Sequence, residues 1–294
     1  MGIIDSHMPV HYHGLDASGL IHEMDSFGID KSWLLTWFIP PDEHVPSSHK
    51  VFSPLNVRPD GTHAGSPLKD VLNAVRQHPN RFIPGFCPWP ASIQAADEFE
   101  VAVEMHGVRV CGEWSYRMLL DDPRSIELFR RAGKLKCPVV LHIDVSFLPN
   151  IDCVPVYQEF WYGGMPGPLE RALQASPDTI FIGHAPGFWR YISGDAEEDP
   201  DMYPKGPIQP GGELIRLFDD YPNLYADLSA GSGLGALIRN VDHGRQFLVK
   251  YSDRLLFGRD APGNVLQDHL KKLNLPVDVW DNITKVNANR LINL

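Results

Sequence analysis

Short apolar runs recur along the chain at residues 3–6, 32–36, 82–86, 108–111, 139–143, 179–183, 224–227 and 255–258. They are mainly apolar rather than alternating, the pattern of strands covered on both faces. Stretches with helical spacing lie between them and predict helices over 17–27, 67–77, 91–105, 123–135, 166–174, 213–220, 236–250 and 277–291. Eight strand-and-helix units predict an α/β fold, a single (β/α)8 TIM barrel over residues 1–294. An open doubly wound sheet is the alternative. It would need a glycine-rich phosphate loop after a strand, and none is present.

Three connections, 38–66, 144–164 and 185–210, are too long to be simple turns. All follow strands, so in a barrel they emerge at the carboxyl-end face and wall its mouth. The polar residues that close the apolar runs belong to that same face. His7 follows the first run, His142 lies at the end of the fifth, His184 follows the sixth, and Asp260 follows the eighth, turned at once by Ala261-Pro262-Gly263. A lone histidine at a strand end is usually a hydrogen-bonded core residue, and an ionised aspartate there needs a cation or donors opposite it. The recurrence of the set is what predicts one site. Glu113, just past the fourth run, joins it if that strand runs further. Arg190 and Arg259 are candidates to clamp a substrate carboxylate, with Arg117 expected to pair with a neighbouring acid instead. Trp114, with Trp37, Phe38, Trp89, Trp161 and Trp189, is expected to wall a pocket suited to a cyclic substrate.

Composition narrows the partner. The chain is 43% hydrophobic and 21% charged, with a formal charge of -11. An acidic surface argues against nucleic acid, and no apolar run is long enough to span a bilayer. The four cysteines, Cys87, Cys111, Cys137 and Cys153, form no CxxC pair and read as reduced thiols of a cytoplasmic protein. The N-terminus enters its first strand without a secretion signal. A small-molecule substrate is expected, and a homo-oligomer is left open.

The segments Ile4-Asp5-Ser6-His7, Gly183-His184, Phe257-Gly258-Arg259-Asp260-Ala261-Pro262 and Val286-Asn287-Ala288-Asn289-Arg290-Leu291 resemble, in order and spacing, the amidohydrolase superfamily. The branch is that of the aminocarboxymuconate semialdehyde decarboxylases and related hydrolases. The resemblance implies one divalent metal, usually zinc, held by a His-x-His pair on the first strand, a histidine on the fifth and the aspartate of the eighth. The histidine of the sixth handles protons or substrate. His7, His142, Asp260 and His184 match those positions. The second member of the pair does not, because Pro9 stands there. His7, His142 and Asp260 still suffice in number, but affinity is expected to fall unless Glu113, His11 or His13 takes the vacancy, and a carboxylate there would shift the preference from zinc toward manganese. The activity implied is a metal-dependent hydrolase that activates a metal-bound water against a small cyclic or carboxylated substrate, with His184 and Asp260 moving protons. The alternatives are a decarboxylase, a metal-free lactonase, or a barrel that binds without catalysis.

Overall fold

The computed structural model describes residues 2–293 apart from His44 and Pro46, which lie in the first long connection. The eight apolar runs form parallel strands: β1 Ile3–Pro9, β2 Ile29–Leu35, β3 Phe82–Pro84, β4 Cys111–Trp114, β5 Val139–His142, β6 Phe181–His184, β7 Leu224–Asp227 and β8 Leu255–Leu256. β1, β2 and β3 pair in one ladder and β4 to β8 in another. Two seams join the ladders. Gly85 bridges Val110 between β3 and β4, where Phe86 N also donates to Val110 O at 2.9 Å. At the other seam Ser6 N donates to Phe257 O at 2.9 Å and Asp260 N to His7 O at 2.8 Å. The eight strands therefore close on themselves, which leaves no exposed sheet edge.

The apolar core has two layers. Ile4, Trp33, Leu35, Val110, Val140, Ile182, Tyr225 and Leu256 fill the barrel interior, stoppered at the amino end by Ala288 and Leu291 of the closing helix. The larger layer lies between the strands and the helices outside them, among them α1 Ala17–Phe27, α2 Leu68–Gln77, α3 Ala95–His106, α4 Pro123–Lys134, α5 Gly167–Ala175 and α6 Glu213–Asp220. Because side chains alternate along a strand, the residue two places beyond an interior apolar one also faces inward. Val140 leads to His142, Ile182 to His184, Tyr225 to Asp227, and Leu256 through Gly258 to Asp260. The barrel interior is oil below and polar above.

Several boundaries differ from the sequence reading. β4 lies at Cys111–Trp114 rather than 108–111, since its pairing with β5 starts at Cys111 opposite Val139 and continues past a buried, hydrogen-bonded Glu113. The predicted helix 236–250 is two, α7 Ala230–Ile238 and α8 Val241–Lys250, because the Asn240 side chain accepts from His243 N at 3.0 Å and caps a new start. A further helix, α9 Val265–Lys272, follows β8, and the closing segment passes through a π-turn at Asn282–Val286. The long connections carry local structure: a ribbon of Trp37–Phe38 with Gly65–Ser66, a hairpin of Phe147–Pro149 with Pro155–Tyr157, and a helical turn Pro186–Trp189. Among the described residues no helix is long and apolar enough to cross a membrane.

Gly183 shows how tightly β6 is covered. A Cβ there would lie 2.1 Å from the ring of Phe188, which is wholly buried and has nowhere to go. Replacing Gly183 by Ala is expected to cost about 1–3 kcal/mol through overpacking. Urea unfolding monitored by circular dichroism measures it, and an unchanged midpoint would contradict the packing described.

Candidate active site

The interior polar residues meet at the carboxyl end of the barrel. His7 is fully buried, and its Nδ1 lies 2.7 Å from Asp227 Oδ2, which turns Nε2 toward Glu113 Oε1 at 3.6 Å and Asp260 Oδ1 at 3.5 Å. His142 Nδ1 lies 2.8 Å from Glu113 Oε1, and its Nε2 lies 3.4 Å from Asp144 Oδ2. His184 is held through Nδ1 by Ser229 Oγ at 3.0 Å, with Nε2 at 3.4 Å from Asp260 Oδ2 and 4.0 Å from Glu113 Oε1. The His184 ring centroid is 4.5 Å from that of His7 and 5.3 Å from that of His142. All three histidines, Glu113 and Asp260 thus share one small volume. Gly258 makes room for it, since a Cβ there would lie 2.8 Å from Asp227 Oδ1 and 3.0 Å from His7 Cβ.

Beneath the cluster a buried ion pair fixes the seam between β1 and β8. Asp5 Oδ1 accepts from the backbone N–H of His7 at 3.2 Å and of Arg259 at 3.0 Å, and Asp5 Oδ2 accepts from Arg259 Nε at 2.8 Å. Arg259 Nη1 donates to Glu23 Oε2 at 2.9 Å. Nε and Nη1 are thus taken by the protein's own carboxylates, and only Nη2 is left without a partner. Arg259 is therefore a structural tie rather than the substrate clamp expected from the sequence.

The electrostatics of the cluster follow from its carboxylates. Burial works against charging His7, yet Asp260, Asp227 and Glu113 outweigh it and hold the imidazole pKa well above its ordinary value. Burial likewise opposes charge on His142, and Glu113 and Asp144 overcome it, pushing the pKa up to about 10. Burial would raise the Glu113 pKa, but His142 and His7 hold it well below the usual carboxylate range. The cavity calls for positive charge. Two of its atoms, His7 Nε2 and Asp260 Oδ1, are buried without a hydrogen-bond partner. His7, His184 and Asp260 form one group whose ligand atoms lie within 4.8 Å of one another, and Glu113, His142 and His184 form a second. A mixed set of imidazole nitrogens and carboxylate oxygens, with orphaned donor atoms and a demand for cationic charge, fits a divalent metal ion.

Other sequence candidates fall elsewhere. Trp114 is wholly buried against Tyr116 and Phe129, because strand alternation sends the neighbour of an inward Glu113 outward to the helices. It cannot wall the mouth as expected. Arg190 is buried beside the site, where Nη2 donates to the carbonyls of Ala196 and Asp199. Arg117 stands 3.8 Å from Glu43 Oε2 and over the Phe160 ring. His11 and His13 sit in left-handed backbone at φ 58° and 50°, and neither belongs to a group of clustered ligand atoms, whereas Glu113 does.

The rim is aromatic. Trp37 and Tyr162 each lie 5.5 Å from the His142 ring. Burial, with the charges of Asp260 and Glu113, raises the pKa of the Tyr12 hydroxyl, and burial with Asp144 and Asp260 raises that of Tyr203. Both hydroxyls stay protonated and can donate. Sequence reasoning passed over Asp227, Asp144, Ser229, Tyr12 and Tyr203. Only Asp227 left a signal, closing the seventh apolar run as His142 closes the fifth.

The amidohydrolase family is matched by residues 47–291, and the chain belongs to that family of enzymes. Comparison with curated proteins gives no significant sequence match. Among solved structures the chain is similar to an uncharacterized TIM-barrel protein from Bordetella bronchiseptica, at 16% identity and a TM-score of 0.63 over 99% of this chain and 98% of that one. It is similar to a probable 2-pyrone-4,6-dicarboxylic acid hydrolase from Acinetobacter baumannii with citric acid bound, at 16% identity and a TM-score of 0.58 over the whole of both chains. A dihydroxybenzoic acid decarboxylase from Polaromonas, with bound manganese and the inhibitor 2-nitroresorcinol, gives 17% identity and a TM-score of 0.59 over 100% of this chain and 97% of that one. These likenesses establish the TIM-barrel fold.

The tie beneath the cluster yields a direct test. Asp5→Ala leaves the Arg259 guanidinium buried with its main partner gone, and is expected to destabilise the protein by about 3–5 kcal/mol. Asp5→Ala combined with Arg259→Met should recover part of that loss in urea unfolding. Equal losses in the single and double variants would show that the buried charge is not what costs.

Proposed function

We propose that the protein is a metal-dependent hydrolase of small cyclic or carboxylated compounds, with His7, Glu113, His142 and Asp260 holding one divalent metal ion. The observation that carries this reading is the pair of buried, unpartnered atoms, His7 Nε2 and Asp260 Oδ1, 3.5 Å apart among clustered ligands. When bound, the metal supplies Lewis acidity toward water and toward a substrate carbonyl. Asp260, one of the residues that would hold the metal, is also the general base in this reading: its carboxylate takes the proton of the attacking water. The water oxygen bonds to the carbonyl carbon, the bond to the leaving group breaks, and the leaving group takes up a proton from Asp260 or His184. Ser229 orients His184 so that Nε2 faces the reacting side. Tyr12 and Tyr203 donate to developing negative charge, and Trp37 and Tyr162 exclude water from the ring face of the substrate.

Decarboxylation of an aromatic acid is the second reading. It is favoured by the oxygen-rich ligand set that Glu113 creates, which suits manganese as well as zinc, and by the fold shared with a manganese-bearing decarboxylase. In that chemistry the leaving carboxylate departs as carbon dioxide and the ring carbon takes the proton that Asp260 or His184 would supply. Neither reading calls on Arg259 or Trp114.

The test is elemental analysis of protein purified without chelators, followed by turnover of a panel of cyclic esters, cyclic amides and hydroxybenzoates. Near-stoichiometric metal with hydrolysis and no carbon dioxide release supports the first reading, and carbon dioxide release supports the second. Protein that takes up no zinc or manganese even when either is supplied overturns both.

Asp227 provides a further check. It holds the far nitrogen of His7, as carboxylates behind metal-binding histidines commonly do, and Asp227→Asn is expected to weaken metal affinity about 10- to 100-fold. Calorimetric titration of the apo-protein with zinc or manganese measures this. Undiminished affinity would remove His7 from the proposed ligand set.

A further inference from the structure

A cavity of about 450 Å³ opens between the segment after β6 and helix α7, on one flank of the catalytic cluster. None of His7, Glu113, His142, His184 and Asp260 lines it. Much of its wall is apolar, with Pro186, Trp189, Met202, Ala236 and Ile238, yet three cationic side chains line it as well: Arg190, Lys205 and Arg239. Among the described residues, none of the three takes part in an ion pair. Arg190 spends Nε on Ala196 O at 3.1 Å and Nη2 on Asp199 O at 2.6 Å, and Arg239 Nε donates to Gly206 O at 2.7 Å. Of the two nearby acids, Glu197 accepts from the Tyr191 hydroxyl at 2.6 Å, and Asp199 meets Arg190 through its backbone carbonyl.

Arg190 is only 2% exposed, and its Nη1 is buried without any partner. Ser232, also on the cavity wall, has a buried Oγ in the same condition. Burial lowers the Arg190 pKa against the opposing pull of Tyr191, Asp199 and Glu197, and the like charge of Arg239 adds to the lowering. Two guanidiniums and an ammonium line an apolar cavity that no carboxylate lines, and Asp199 and Glu197 act on Arg190 without forming an ion pair with it. An orphaned buried donor costs free energy unless something accepts from it.

We propose that this cavity binds an organic carboxylate, its anionic head on Arg190, Arg239, Lys205 and Ser232 and its apolar body against Trp189, Met202 and Ile238. A planar carboxylate matches the guanidinium fork, and the volume suits a small aromatic or branched aliphatic acid. The cavity adjoins the catalytic cluster through Pro186, two residues beyond His184, and through Tyr203, whose hydroxyl feels the charge of Asp260. The same chemistry serves two sources, the remote carboxylate of the substrate or a separate acid that acts as an effector. The site itself does not depend on which reaction the cluster performs.

Benzoate is the probe and benzamide its uncharged match, titrated calorimetrically into the full chain, into the doubly substituted Lys205→Gln, Arg239→Gln protein, and into Glu113→Gln. Benzoate is expected to bind the parent and Glu113→Gln proteins alike, to bind the double variant roughly tenfold more weakly, and to outbind benzamide. No benzoate binding at millimolar concentration, equal binding of benzamide, or unchanged affinity in the double variant would overturn the proposal. So would loss of binding in Glu113→Gln alone, which places the anion on the catalytic cluster. These outcomes are read without turnover, so they stand apart from the fate of the proposed reaction. Where a substrate is found, competitive inhibition by benzoate assigns the cavity to the substrate's own carboxylate, and non-competitive inhibition or activation assigns it to an effector.

Discussion

The structure depends on how Asp5 is satisfied. Its carboxylate accepts from two backbone N–H groups and from the Arg259 side chain, and these contacts draw the first and last strands of the barrel together. A barrel closes only if its terminal strands meet, and here the meeting point lies directly under the chemistry. Asp5 receives the backbone of His7, and Arg259 is the neighbour of Asp260. The same seam includes the hydrogen bond from Asp260 N to His7 O. Fold closure and site assembly are one event, which explains why the first-strand histidine and eighth-strand aspartate face each other.

Above that tie the barrel collects more negative charge than its histidines can neutralise in their neutral form. Glu113, Asp227, Asp260 and Asp144 all approach the imidazoles, and each histidine has one nitrogen fixed by a neighbour: His7 by Asp227, His142 by Glu113, His184 by Ser229. Fixing one nitrogen aims the other. This is how a protein makes a directional donor set from flexible side chains, and it fixes the ring before any ion or substrate arrives. Glu113 has a double part, since it fixes His142 and lies 3.6 Å from the free nitrogen of His7. A carboxylate from β4 thereby joins the histidines of β1, β5 and β6.

The flank between the segment after β6 and α7 shows the opposite imbalance, with cations gathered in an apolar wall. Two adjoining sites of opposite charge would orient a substrate bearing an acid at a distance from its reacting bond. Trp189 belongs to both, lining the cavity while its Nε1 donates to Asp227 O at 3.1 Å.

The chain's own pattern determined the barrel, because strands buried on both faces are mainly apolar, and that leaves eight recognisable runs. It determined His7, His142, His184 and Asp260 for a related reason: polar residues that interrupt such runs at their carboxyl ends have only the barrel mouth to occupy. The same pattern contained Asp227, which ends its run in the same way. What it did not determine was the direction of individual side chains. Glu113 and Trp114 are neighbours in sequence, yet alternation sends one to the ligands and the other to the helices, and only the register of β4 against β5 decides which. Arg259 and Arg190 are alike in composition terms as free cations near the mouth. The tertiary structure pairs the first with the carboxylates of Asp5 and Glu23 and gives the second only backbone carbonyls, because partners more than 200 residues away in sequence for Arg259 come together only when the barrel closes.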